Sequence, residues 1–146
     1  MSENILMEFR HSPRRVAFLA VAIAGLVFVY LFQETLVFSR FFSYEAHPYV
    51  SFVFKKTLRV VLNDSFMLLF IYAWFNTRAV TRVALWLQAI DTFVLLPLYL
   101  LVKLTLEGDH EISSPLLSQL HRLIVNPTLM VLFIPAVYFQ RWKSPS

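Results

Sequence analysis

The sequence predicts an all-α integral membrane protein, a bundle of four transmembrane helices forming a single domain over residues 1–146. Two observations carry this prediction. Residues 16–32, 58–75, 83–106 and 123–139 are four apolar runs, and at about 1.5 Å per helical residue each is long enough to cross a hydrocarbon core of roughly 30 Å. The composition agrees: 58% of residues are hydrophobic and 16% aromatic, and the mean hydropathy is +0.64. A water-soluble fold of this size would have too little polar surface to cover its core.

The first run follows Arg10, Arg14 and Arg15 and ends in Phe32-Gln33-Glu34-Thr35 without a small-residue cleavage site. It reads as an uncleaved first span, and its arginines as positive-inside anchors rather than a twin-arginine signal. Residues 33–57 are too polar to cross but rich in aromatics, from Phe38 to Phe54. They predict an outer interfacial segment, a short helix or folded loop. Arg78 and Arg82 separate the second and third runs, and Arg141 and Lys143 follow the fourth. These cations place both termini on the cytoplasmic side, and Trp74, Trp86 and Trp142 fall at the same face. Opposite them, Glu107-Gly108-Asp109 stops a helix. Ser114-Pro115 begins the next, which is expected to run on into the fourth span.

The net charge of +4 comes from cations placed mostly at the ends of the apolar runs, so the expected partner is membrane lipid, not nucleic acid. The chain has no cysteine, which excludes disulfides, thiolate nucleophiles and cysteine-ligated metals. Four histidines lie scattered without metal-ligand spacing, and no hydrolase, phosphate-loop or dinucleotide motif occurs. No catalytic, cofactor or metal site is therefore expected, and the chain does not read as an enzyme. With two glycines only, close helix packing through paired glycines is not available.

Laying Arg59 over Arg122 pairs Asn63 with Asn126, Met67 with Met130, Leu69-Phe70-Ile71 with Leu132-Phe133-Ile134, Ala73 with Ala136 and Arg78 with Arg141. This pattern is compatible with two parallel two-helix repeats. Residues four apart share a helix face, so each Arg is expected to lie beside the Asn of its own helix. By depth, Glu34, Arg59, Asn63, Asp64, Lys103, Arg122 and Asn126 form a candidate outer-side polar cluster. Its residues either snorkel to headgroups or bind one another to hold the bundle together, or they form a docking surface or polar pocket open to the outside. Asp91 falls near the membrane centre, where it is expected to be neutral or bonded to Gln88, Thr92 or a neighbouring helix.

The stretches 58–63, His121-Arg122-Leu123-Ile124-Val125-Asn126-Pro127 and Ile134-Pro135-Ala136-Val137-Tyr138-Phe139-Gln140 resemble the exosortase F system-associated membrane proteins of Bacteroidetes. Residues 34–41 depart from that pattern, which carries an aromatic-Asp-Pro turn there. The resemblance implies a multi-pass accessory protein of the bacterial inner membrane. Its expected role is that of a non-catalytic partner or scaffold meeting an exosortase or its sorted substrate. Exosortases are thought to use a cysteine with Arg and His, so this chain cannot be the sorting enzyme by that mechanism. The alternative is a small proton-linked transporter or channel subunit using Asp91.

Overall fold

The computed structural model describes residues 12–32, 48–108 and 114–143. These form α1 (Pro13–Phe32), α2 (Pro48–Phe75), α3 (Arg78–Ile90), a π turn (Asp91–Leu95), α4 (Leu96–Leu106), α5 (Pro115–Val125) and α6 (Thr128–Lys143). Three helical stretches, α1, α2 and the continuous run from α3 through α4, are each long and apolar enough to cross a membrane. The pair α5 and α6 makes a fourth only if taken as one span bent by 65°.

Three boundaries differ from the sequence expectation. Residues 33–47 of the expected interfacial segment lie outside the described residues, but from Pro48 the chain is already in α2, a helix of 28 residues. Lys55-Lys56-Thr57 does not interrupt it, because these side chains cost a helix little and no Gly or Pro follows Pro48 within it. In the third run, Pro97 removes an N–H and would crowd the carbonyl four residues back. The helix absorbs this by widening, and the Leu96 N–H donates to the Asp91 carbonyl, five residues back. The fourth run is not straight. Pro127 ends α5 at Val125, and Asn126 takes an extended conformation before α6 begins.

Other ends follow the usual stop signals. Asn76 leaves α2 with φ 47°, and Gly108 leaves α4 with φ 64°, both in the left-handed region that closes helices. As expected, α5 starts at Pro115 after Ser114. The Ser114 hydroxyl does not cap it; the Ser114 N–H donates to Glu107 Oε1 at 2.9 Å instead.

The helix α2 is central and touches every other described helix. Against it α1 runs antiparallel, buries Ala22 and Val29, and turns outward a row including Phe18, Ile23, Val27, Phe28 and Leu31. A side chain at Gly25 would enter the Phe66 ring, so this one glycine admits the close approach of α1 and α2. At the end of α2, Arg15 Nε donates to the Ala73 carbonyl at 3.1 Å and Arg15 Nη2 to the Trp74 carbonyl at 3.0 Å. These carbonyls are orphaned where the helix stops, and the cation also meets the negative end of the helix dipole.

The core has two apolar blocks. One contains Val60, Leu96, Tyr99, Leu100, Leu117, Ile124 and Val125. The other contains Met67, Ile71, Phe75, Ala84, Met130 and Val137. Along α2, along the α3–α4 run and along α5–α6 the same thing happens between the blocks: a polar or irregular segment intervenes. These segments are Asn63-Asp64, Asp91-Thr92 and Asn126-Pro127-Thr128.

Candidate functional site

The layer between the two blocks is the candidate site. On α2 the adjacent residues Asn63 and Asp64 project about 100° apart around the helix axis, so they address different neighbours. Asn63 turns to the break between α5 and α6, where its Nδ2 donates to the Val125 carbonyl at 3.2 Å. One turn away, Arg59 Nη2 donates to Asn126 Oδ1 at 2.9 Å. Thr128 completes the break from within: its hydroxyl donates to the Arg122 carbonyl at 2.9 Å and its N–H to the Asn126 carbonyl at 2.7 Å. A helix broken in apolar surroundings exposes carbonyls that need donors. Here Asn63 of α2 and Thr128 at the start of α6 supply them to the Val125 and Arg122 carbonyls, and Arg59 holds the Asn126 side chain.

Asp64 turns the other way, to the π turn. Its carboxyl and that of Asp91 lie within hydrogen-bond reach of each other. Beside them Gln88 Nε2 donates to Ser65 Oγ at 3.3 Å, a second polar link between the antiparallel α2 and α3. Asp64 and Asp91 are 1% and 3% exposed, Asn63 6% and Lys103 1%, so this cluster faces inward.

A second group closes the end of the bundle near α4 and α5. Lys103 Nζ donates to the Gly108 carbonyl at 2.8 Å and sits 4.9 Å from the centre of the Phe52 ring. The Tyr99 hydroxyl and His121 Nδ1 share a hydrogen bond at 2.8 Å, with the rings 5.7 Å apart. At the opposite end, Trp74 Nε1 donates to the Tyr138 hydroxyl at 2.7 Å and Arg141 Nη2 to Thr77 Oγ1 at 3.0 Å. Arg15, Arg78 and Arg141 thus belong to one end of the bundle, as their grouping on one side required.

The sequence expectation is corrected at several points. Arg59 does not pair with Asn63 on its own helix; it reaches across to Asn126, and Asn63 reaches to Val125. Arg122 is exposed, and what it contributes to the break is its carbonyl. Lys103 does not extend to the surface but is buried. Asp64 does not join Arg59 and Asn63 in an outer group; it meets Asp91. Of the partners open to Asp91 it is the neighbouring helix that supplies one, Asp64 on α2, since Gln88 bonds Ser65 and Thr92 Oγ1 has no hydrogen-bond partner. Glu34 lies outside the described residues.

Tyr99 and His121 were not singled out from the sequence. A signal for Tyr99 exists: Leu96, Tyr99, Leu100 and Lys103 recur at helical spacing, and all four are buried. Among the described residues no group of three or more His, Asp or Glu stands close enough to hold a metal ion.

No protein family, curated protein or solved structure matches this chain.

Proposed function

We propose that the chain is a four-crossing protein of the bacterial inner membrane, with both termini cytoplasmic, working as a non-catalytic accessory or scaffold of an exosortase-type sorting system. The observation behind this reading is that Arg59 and Asn63 are bonded across helices, Asp64 and Asp91 are turned inward, and apolar faces of α1, α3 and α4 are left outward. Such faces suit lipid and membrane-embedded partners. The stretches of resemblance also carry contacts between α2 and the bent pair, since Arg59, Asn63 and Asn126 hold the break and Trp74 donates to Tyr138 at the other end of the bundle. The bent pair has sufficient reach to be the fourth span. At about 1.5 Å per residue α6 spans roughly 24 Å, and α5, inclined by the bend, adds about 7 Å along the same axis.

The test is crosslinking in native membranes followed by purification of the tagged chain. Recovery of an exosortase or its sorted substrate supports the reading; recovery of the chain alone, at native abundance, removes it. A second reading, proton-linked transport, is favoured by the Asp64–Asp91 contact beside two helix irregularities. Proton flux into liposomes carrying the purified protein would support it, and flux no greater than in empty liposomes would dismiss it.

A further inference from the structure

We infer that Asp64 and Asp91 are the two halves of a single proton-binding site, and that the bound proton ties α2 to the π turn. The inference stands on the contact itself and holds under either functional reading. Asp64 Oδ2 and Asp91 Oδ1 are buried and meet no hydrogen-bond donor of any other residue. Ionised carboxyls are acceptors only, so two of them in contact have nothing to share and repel strongly where water is excluded. One proton changes the sign of the contact: the protonated carboxyl becomes a donor to its neighbour, the arrangement by which facing carboxyls share a proton elsewhere.

The surroundings offer no substitute for that proton. On α2 the nearest cation is Arg59, which is directed to Asn126. On α4, Lys103 is directed to Gly108 and Phe52. On α5, His121 is directed to Tyr99, and Arg122 is exposed. Arg78 and Arg82 belong to the first turns of α3, away from Asp91. No charged residue occurs in α1 from 16 to 32 or in α6 from 128 to 140. The ionisable group that faces Asp64 is Asp91.

The site also occupies a mechanically sensitive place. Asp91 opens the π turn, and Asp64 adjoins Asn63, which holds the break between α5 and α6. With the proton in place, α2 fastens both irregular segments. When the proton leaves, two charges face each other between the apolar blocks, and α2 must part from the π turn or admit water.

The experiment uses the full chain in liposomes and infrared spectroscopy across neutral to strongly alkaline pH. The expected result is a carbonyl stretch of a protonated carboxyl at neutral pH, shifted in heavy water and lost on alkalisation together with thermal stability. In the double variant Asp64→Asn/Asp91→Asn the band is absent and the alkaline loss of stability disappears, because amides keep the donor and acceptor without titrating. Asp91→Asn alone keeps the contact, with its amide donating to Asp64, and is less sensitive to alkali than the wild type. Absence of the band from the folded wild type at neutral pH overturns the proposal without any variant. So does an alkaline loss of stability that is unchanged in the double variant, or one reversed by added sodium instead of acid, which would make the site one for a metal cation.

Discussion

Arg59 and Arg122 occupy equivalent positions in the internal sequence match, yet they should differ sharply when replaced. Methionine at either position keeps an unbranched apolar stem and removes the guanidinium. At Arg59 the change deletes the 2.9 Å bond to Asn126 Oδ1 and leaves that oxygen facing the break without its donor. A hydrogen bond to a charged group contributes about 1.5–3 kcal/mol in soluble proteins. Side-chain bonds between membrane helices average lower, about 0.6 with a maximum near 1.7 kcal/mol. Between the membrane average and the soluble range, Arg59→Met should destabilise by about 1–2 kcal/mol. Arg122 is exposed and its role at the break is played by its backbone, so Arg122→Met should change stability by no more than about 0.5 kcal/mol. Unfolding in mixed micelles, followed by tryptophan fluorescence, measures both. A cycle with Asn126→Ala adds a control, because Arg59→Met should cost little once its acceptor is gone. Equal costs for the two arginines, or a larger one for Arg122, would refute the assignment of the break to Arg59.

Three further outcomes are expected. Asn63→Leu should destabilise by about 1–2 kcal/mol in the same assay, because the Val125 carbonyl loses its donor; a variant as stable as the wild type would mean that the break satisfies itself. Gly25→Leu should weaken the docking of α1, since crowding against Phe66 at about 1–3 kcal/mol exceeds the helix-propensity gain of about 1 kcal/mol. Adding Phe66→Ala should recover part of the loss, as read by protease access to α1, and no recovery would place the crowding elsewhere. For topology, a reporter active only outside the cytoplasm should give signal when inserted at Asp109 and none at Ser146, and the reverse pattern would invert the orientation.

The sequence made the helices legible because burial in lipid and burial in protein demand the same thing of a run, that it be long and apolar. It could not distinguish the two destinations for Asn63 and Asp64. Both sit on one helix at one depth, and a step of one residue sends them to different partners. The pairing of each Arg with the Asn four residues away was reasonable for an isolated helix. It failed because Pro127 opens the helix at Asn126: the freed Val125 carbonyl takes the Asn63 amide, and the Asn126 side chain takes Arg59. Likewise Lys103 looked like a residue reaching for the surface, whereas its helical spacing with Leu96, Tyr99 and Leu100 already set it on the buried stripe. The inward Asp91 could be read from its depth, but its partner lay on another helix, and antiparallel register is not written in either strand of sequence alone.

The unequal lengths of α2 and α6 have a consequence for the surrounding bilayer. The two run side by side in the same direction, with Trp74 beside Tyr138 and Thr77 beside Arg141, yet one has 28 residues and the other 16. At about 1.5 Å per residue α2 is roughly 42 Å long, well beyond a hydrocarbon core of about 30 Å, and α6 at about 24 Å falls short of it. On the four-crossing proposal, α5 lying oblique above α6 makes up the difference, so the height of the apolar wall that lipids meet on that side depends on the 65° bend. Each ångström of mismatch carries a fraction of a kcal/mol. On that same proposal, bilayer thickness would act on the angle at Asn126-Pro127: a thicker membrane would favour straightening the bent pair, and a thinner one folding it further.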